Sequence, residues 1–115
     1  DDDRVASLLD TYAWRGAAIL EGLHRVEGRY PTLTPGGSVT GRLLETPDLD
    51  RLDTYEGVDR GLYVRVSVPF RSATAEVYLG DPGLLDAPAD WPGSGPFAER
   101  VDRYLARHRI CLHRS

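Results

Sequence analysis

The sequence contains no lysine, asparagine, glutamine or methionine, and Cys111 is its single cysteine. Absence of lysine excludes Schiff-base catalysis. One cysteine cannot close an intrachain disulfide, so a secreted disulfide scaffold is excluded and a reducing cytoplasm is the expected compartment. No apolar run approaches the roughly 20 residues that span a bilayer, and no basic-then-apolar signal segment opens the chain, so the expectation is a soluble protein with no membrane partner. All 14 basic residues are arginine, which reads as compositional bias rather than a requirement of chemistry. Against 18 acidic residues they leave a net charge of −4 and are not gathered into a run. That is no footprint for a phosphate backbone, and nucleic acid is not an expected partner. Nothing here sets an oligomeric state. The 115 residues fit one domain, with enough chain to bury a core without disulfides or a structural metal.

What is present is a mixture of helical and strand patterns. Asp1 to Asp3 can cap a helix in which Val5, Leu8, Leu9 and Tyr12 recur at i, i+3, i+4 and i+7, giving a first helix from Asp3 to Tyr12. Gly16 to Val26 reads as a strand, followed by irregular extended chain through Tyr30 and Pro31, the proline placed at an edge or turn. Pro35-Gly36-Gly37 is a turn signal before a strand from Val39 to Glu45, in which Gly41 marks a bulge or close approach. Thr46 as N-cap, Pro47 at the first helical position and Gly57 as a stop predict a short helix from Pro47 to Glu56. Tyr63 to Phe70 and Thr74 to Leu79 predict an antiparallel hairpin, with Val64, Val66 and Val68 on one face and Tyr63, Arg65 and Ser67 on the other. Gly80 to Gly95, with three prolines and four glycines, predicts an irregular surface loop holding Trp91. Pro96 opens a final helix with a stripe of Phe97, Val101, Tyr104, Leu105 and His108, and Ile110 to Leu112 adds a short extended tail.

One residue breaks the apolar pattern. At 100° per residue, Glu56 falls on the same side of its helix as Leu49 and Leu52. It also stands in the last turn, where the negative end of the helix dipole disfavours an anion and burial raises a carboxyl pKa further. Such a group suits proton transfer. The alternative is that Glu56 lies at the stripe's edge, reaches solvent, or pairs with Arg60 or Arg65.

The stretch Leu52-Asp53-Thr54-Tyr55-Glu56-Gly57, with Tyr63 seven residues after Glu56, resembles the Leu-Asp-x-x-Glu-Gly…Tyr block of γ-glutamylcyclotransferases and their avirulence-induced-gene-like relatives. Tyr30-Pro31-Thr32-Leu33 followed by Val39-Thr40-Gly41 is similar to the family's Tyr-Pro-x-Leu…Val-x-Gly segment, and Glu76-Val77-Tyr78 to a later strand. The resemblance implies an α+β fold, a mixed, mostly antiparallel curved sheet or partial β-barrel with flanking helices. It implies conversion of a γ-glutamyl amine or amino acid to 5-oxoproline and the free amine, with Glu56 as general acid/base, Tyr63 and Tyr78 binding the small-molecule substrate, and no cofactor. The family's Tyr-Gly-Ser/Thr-Leu segment, which holds the substrate's amino-acid end, does not occur here. In relatives it lies immediately before the first helix, and the sequence lacks an initiator methionine, so the expectation is a single domain over residues 1–115 without its first strand.

The leaving amine's pocket is expected from the variable loops, here Gly80 to Gly95 and Asp59 to Leu62. His108, Cys111 and His113 lie in a terminal tail without a fourth ligand, so no metal site is expected. Gly36-Gly37-Ser38 lacks the ending of a phosphate-binding loop. His24, Trp14 and Trp91 receive no role. The rival to an enzyme is a non-catalytic member of the same fold that binds a small amino-acid-like ligand or a protein partner.

Overall fold

A computed structural model describes residues 2–9 and 11–114. The chain runs α1 (Asp2–Leu8), β1 (Ala13–Glu27), β2 (Pro31–Glu45), α2 (Leu49–Glu56), a 3₁₀ turn (Val58–Arg60), β3 (Tyr63–Phe70), β4 (Ala73–Gly80), α3 (Phe97–Arg107) and β5 (Cys111–Arg114). One sheet has the order β2-β1-β5 and the other is the β3-β4 hairpin. All the pairings are antiparallel and the sheets do not close into a barrel. The fold is therefore α+β with flanking helices.

The long β1-β2 pair departs from the sequence reading. No turn occurs at Pro35-Gly36-Gly37; β2 continues through it as an edge strand opened by Pro31. Between the pairs Glu21↔Ser38 and Leu23↔Pro35 the register shifts. There Gly22, Gly36 and Gly37 take φ of 106°, 106° and 64°, angles that side-chain-bearing residues rarely adopt. The glycines make a bulge that bends two long strands, the same composition that otherwise makes a turn. Gly41 is no bulge: it pairs regularly with Ala18, and a Cβ added there would meet nothing within 4 Å.

Helix ends also move. α1 stops at Leu8 rather than Tyr12, and Leu9, only 3% exposed, turns into the core. Asp1 of the expected cap and Asp10 lie outside the described residues. α2 begins at Leu49 with Asp48 as its N-cap, not Thr46. The Thr46 hydroxyl instead donates to the Thr11 carbonyl at 2.6 Å and accepts from the Asp48 N–H at 3.1 Å, tying the start of α2 to the end of α1. Beyond α3 the tail is a true strand, with Ala18↔Arg114 and Leu20↔Leu112 in register.

The core gathers Leu20 and Leu23 of β1, Val68 and Leu79 of the hairpin, Trp91, Phe97 and Val101, with Ile110 closing it. The valine face of β3 packs inward as its alternation predicts. The 80–95 segment is irregular, as expected, yet it anchors Leu85 and Trp91, which are 1% and 2% exposed. The Trp91 indole N–H donates to the Leu33 carbonyl at 3.1 Å, so its polar edge is satisfied within the core.

Candidate active site

α2 positions the candidate carboxylate. Leu49, Leu52 and Glu56, one stripe of this helix, all line a cavity of about 930 Å³. Glu56 is half-buried there. The helix stops directly after it because Gly57 adopts φ 78°, its N–H reaching back to the Thr54 carbonyl at 3.1 Å and to that of Asp53. A Cβ on Gly57 would also come within 2.9 Å of Arg60 Nη2 and Leu62 Cδ1. The 3₁₀ turn then returns to the cap, Arg60 and Leu62 both donating to the Gly57 carbonyl at 3.0 and 3.1 Å. This compact connection explains the spacing from Glu56 to Tyr63: cap and turn together deliver the first residue of β3 beside the helix end.

Tyr78 lines the same cavity and lies across the hairpin from Arg65. Its hydroxyl donates to Asp53 Oδ1 at 2.6 Å. Asp53 stands three residues before Glu56, and Arg65 Nε lies 3.5 Å from Asp53 Oδ1 and 3.5 Å from Glu76 Oε1. Glu76 in turn accepts from Ser67 Oγ at 2.5 Å. Arg65 Nη1 is buried without a hydrogen-bond partner, which leaves the guanidinium oriented by the two carboxylates on its Nε side. Sequence reasoning considered Arg65 only as a partner for Glu56; the structure draws it to Asp53 and Glu76. Asp53 was missed as a site residue, although it belongs to the same six-residue block as Glu56.

Tyr63 is placed differently. Its hydroxyl donates to the Pro31 carbonyl at 3.0 Å, fastening the start of β2 to the start of β3. It is not among the residues lining the cavity. Burial raises the Tyr63 pKa, and the Glu56 charge raises it further, as does Tyr30. Burial likewise raises that of Tyr78, reinforced by the hydrogen bond to Asp53 and by the Asp53 and Glu56 charges, against the opposing pull of Arg65. Both phenols therefore keep their protons well past neutrality. Glu56 is close enough to act electrostatically on each.

No described residue of the loops expected to wall the leaving group, 59–62 and 80–95, lines this cavity. The reason is packing, since Leu85 and Trp91 commit the second loop to the core. The walls come from α2, β1, β2, β4 and the end of β5. Among the described residues no group of three or more His, Cys, Asp or Glu is placed to hold a metal ion. His108 stacks on Tyr104 at 4.0 Å between ring centres, while His113 Nε2 lies 3.0 Å from Glu21 Oε2. His24 faces the bulge, its ring nitrogens near the Gly36 carbonyl and Thr34 Oγ1. Among the described residues no helix is long and apolar enough to cross a membrane.

The family model described as "Gamma-glutamyl cyclotransferase, AIG2-like" matches residues 1–95, and the chain belongs to that family. No curated protein and no solved structure matches it.

Proposed function

We propose that this member of the γ-glutamyl cyclotransferase family converts a γ-glutamyl amine or amino acid to 5-oxoproline and the free amine, in a cytoplasmic setting, with Glu56 as general acid/base. The observation that carries the reading is a carboxylate at the end of a helix, aligned with Leu49 and Leu52 on a cavity that the Tyr78 side of β4 also lines.

The reaction needs a group that both takes and gives a proton. An ammonium is no nucleophile, so the Glu56 carboxylate accepts a proton from the substrate's α-ammonium. The freed nitrogen attacks the γ-carbonyl carbon of the same residue. A C–N bond forms in the five-membered ring as the amide C–N bond breaks; the proton held on Glu56 passes to the departing amine, and the second proton shed by the ring nitrogen follows through the same carboxylate, leaving 5-oxoproline with one N–H and the amine as its ammonium. Ring closure is intramolecular, so holding the chain folded supplies much of the rate.

Tyr78 fits this scheme as an acceptor. Its own proton is committed to Asp53, so the phenol oxygen presents lone pairs, suited to an N–H of the substrate's ammonium. Tyr63 contributes to substrate binding indirectly, by holding the Pro31 segment against β3, close enough to Glu56 to feel its charge. The test is incubation of the full-length protein with γ-glutamyl compounds and detection of 5-oxoproline by mass spectrometry. Binding without product would favour a non-catalytic member of the fold.

A further inference from the structure

We infer that Arg65 is a positioning residue for this site. By holding the Asp53 carboxylate it fixes both the direction of the Tyr78 hydroxyl and the last turn of α2, which carries Glu56. This rests on the reading of Glu56 given above.

α2 is the element that needs the hold. The helix has eight residues and none of them is buried. So short a segment is marginal as a helix in water, and Leu49 and Leu52 face a cavity rather than a filled core. A polar tie near the helix end therefore decides where the Glu56 carboxylate stands. Asp53 supplies that tie, three residues before Glu56 and on the same side of the helix. It meets the hairpin twice through Oδ1, accepting from Tyr78 Oη at 2.6 Å and lying 3.5 Å from Arg65 Nε.

The register of the hairpin brings these groups together. Arg65 pairs with Tyr78 and Ser67 with Glu76, so the four side chains share the face opposite Val64, Val66 and Val68. Arg65 reaches diagonally to Glu76, Nε to Oε1 at 3.5 Å, while Ser67 Oγ donates to the other oxygen of that carboxylate at 2.5 Å. One guanidinium thus stands between a carboxylate of α2 and a carboxylate of β4. The side chains of Arg65, Asp53 and Glu76 are 28%, 23% and 26% exposed, so solvent and salt screen these ion pairs less than the exposed pair of Arg25 and Glu27. With Arg65 neutralised, Asp53 and Glu76 are left to repel each other. Glu76 is braced by Ser67 within its own hairpin, so the helix-borne Asp53 is the group that gives way, taking the acceptor from Tyr78 and the anchor from α2. A clamp built for stability alone would also satisfy Nη1, yet that nitrogen is buried without a hydrogen-bond partner, an arrangement that opposes folding. The guanidinium is placed for its charge at Nε.

The test uses the full chain, with γ-glutamyl-alanine and γ-glutamyl-ethylamine as probes. Arg65→Gln should lower kcat/KM by about tenfold to a hundredfold, the scale of a small misplacement near reacting atoms. Arg65→Lys, which returns a cation, should recover part of the loss. Because Arg65 acts through Asp53 and Tyr78, adding Tyr78→Phe to Arg65→Gln should lose little more than Arg65→Gln alone, whereas independent roles would multiply the two losses. A general loss of stability does not single out Tyr78 in this way. The second readout is the Tyr78 hydroxyl proton, observed by NMR in tyrosine-labelled protein and assigned by its absence from Tyr78→Phe. It should be protected from exchange in the parent and exposed to exchange in Arg65→Gln. Asp53→Asn keeps the size of the acceptor and removes its charge; it should repeat both effects, and it serves where Arg65→Gln does not fold. Unchanged kcat/KM in these variants, multiplied losses, or a hydroxyl proton equally protected in parent and variants or unprotected in the parent overturns the inference while leaving Glu56 in its role. If the parent turns over neither compound, the Glu56 reading fails, and the hydroxyl proton alone decides the place of Arg65.

Discussion

Tyr78 and Asp53 join the cavity-lining strand β4 to α2 through one hydrogen bond, Tyr78 Oη to Asp53 Oδ1 at 2.6 Å, three residues before Glu56. The bond fixes the direction of a proton. Asp53 as a carboxylate can only accept, so the phenol must donate and its oxygen must present lone pairs.

A pH dependence follows. Burial, the Asp53 bond and the nearby charges raise the Tyr78 pKa above its ordinary 10.0. The folded state thus holds this proton more tightly than the unfolded chain does. The associated stability is fully present below pH 10, and it falls as pH rises beyond 10 toward the folded-state pKa. Tyr63 acts in the same sense. Thermal melts of the parent protein between neutrality and strong alkali should show a decline starting near pH 10, and Tyr78→Phe should show a shallower one. Identical alkaline slopes would remove Tyr78 from the account. At neutral pH the same variant should lose about 1 kcal/mol, the net worth of one hydrogen bond.

Much of this site is legible in the sequence because it is local. The phase of Glu56 with Leu49 and Leu52, the stop at Gly57 and the hairpin alternation each follow from a period of 3.6 or 2, and all three occur in the structure. Partnerships across the chain are not legible. Tyr63 meets Pro31 and Tyr78 meets Asp53 over separations of 32 and 25 residues, and periodicity carries no signal for either. The glycines at 36 and 37 misled for a different reason: positive φ serves a turn and a bulge equally, and only the pairing of β1 with β2 distinguishes them. The turn-rich composition of the 80–95 loop likewise conceals two core anchors, Leu85 and Trp91.

Thr32 offers a test of how β2 and β4 are held together. Its buried hydroxyl donates to the Gly80 carbonyl at 2.9 Å and accepts from the Gly80 N–H at 2.8 Å, clamping β2 to the end of β4. Thr32→Val keeps the shape and removes the clamp. Denaturant unfolding should register a loss of about 1–3 kcal/mol, the penalty of leaving buried backbone polar groups without that partner. A loss well under 1 kcal/mol would mean that the Gly80 groups are served elsewhere.

Gly57 and Gly61 separate backbone strain from steric conflict. Both have positive φ, 78° and 76°, but an added Cβ at Gly57 meets Arg60 and Leu62 at 2.9 Å, while at Gly61 it meets nothing within 4 Å. Gly61→Ala should cost about 1 kcal/mol, the ordinary left-handed penalty. Gly57→Ala should cost somewhat more, because the ends of the Arg60 and Leu62 side chains must also swing aside. Equal losses of stability at the two positions would show that only the backbone angle matters.

Glu56→Gln is the decisive substitution for the proposed chemistry. Gln keeps the length and shape of the side chain but cannot take a proton from the substrate's ammonium or return one to the leaving amine. The expected outcome is loss of 5-oxoproline formation by about 10²–10⁴-fold, the usual contribution of a positioned general acid/base. Ground-state contacts mostly remain, so calorimetric affinity for a γ-glutamyl compound should change little. Stability gives an independent readout. Glu56 closes α2, where the helix dipole disfavours a negative charge by about 0.3–1 kcal/mol, so the neutral variant should melt at or above the temperature of the parent. A gain in stability together with lost activity is the pattern expected when function holds a charge where folding alone would not. A variant that retains full activity would make Glu56 a structural residue. A variant that unfolds would instead identify Glu56 as one member of an ion pair whose partner cannot be left alone.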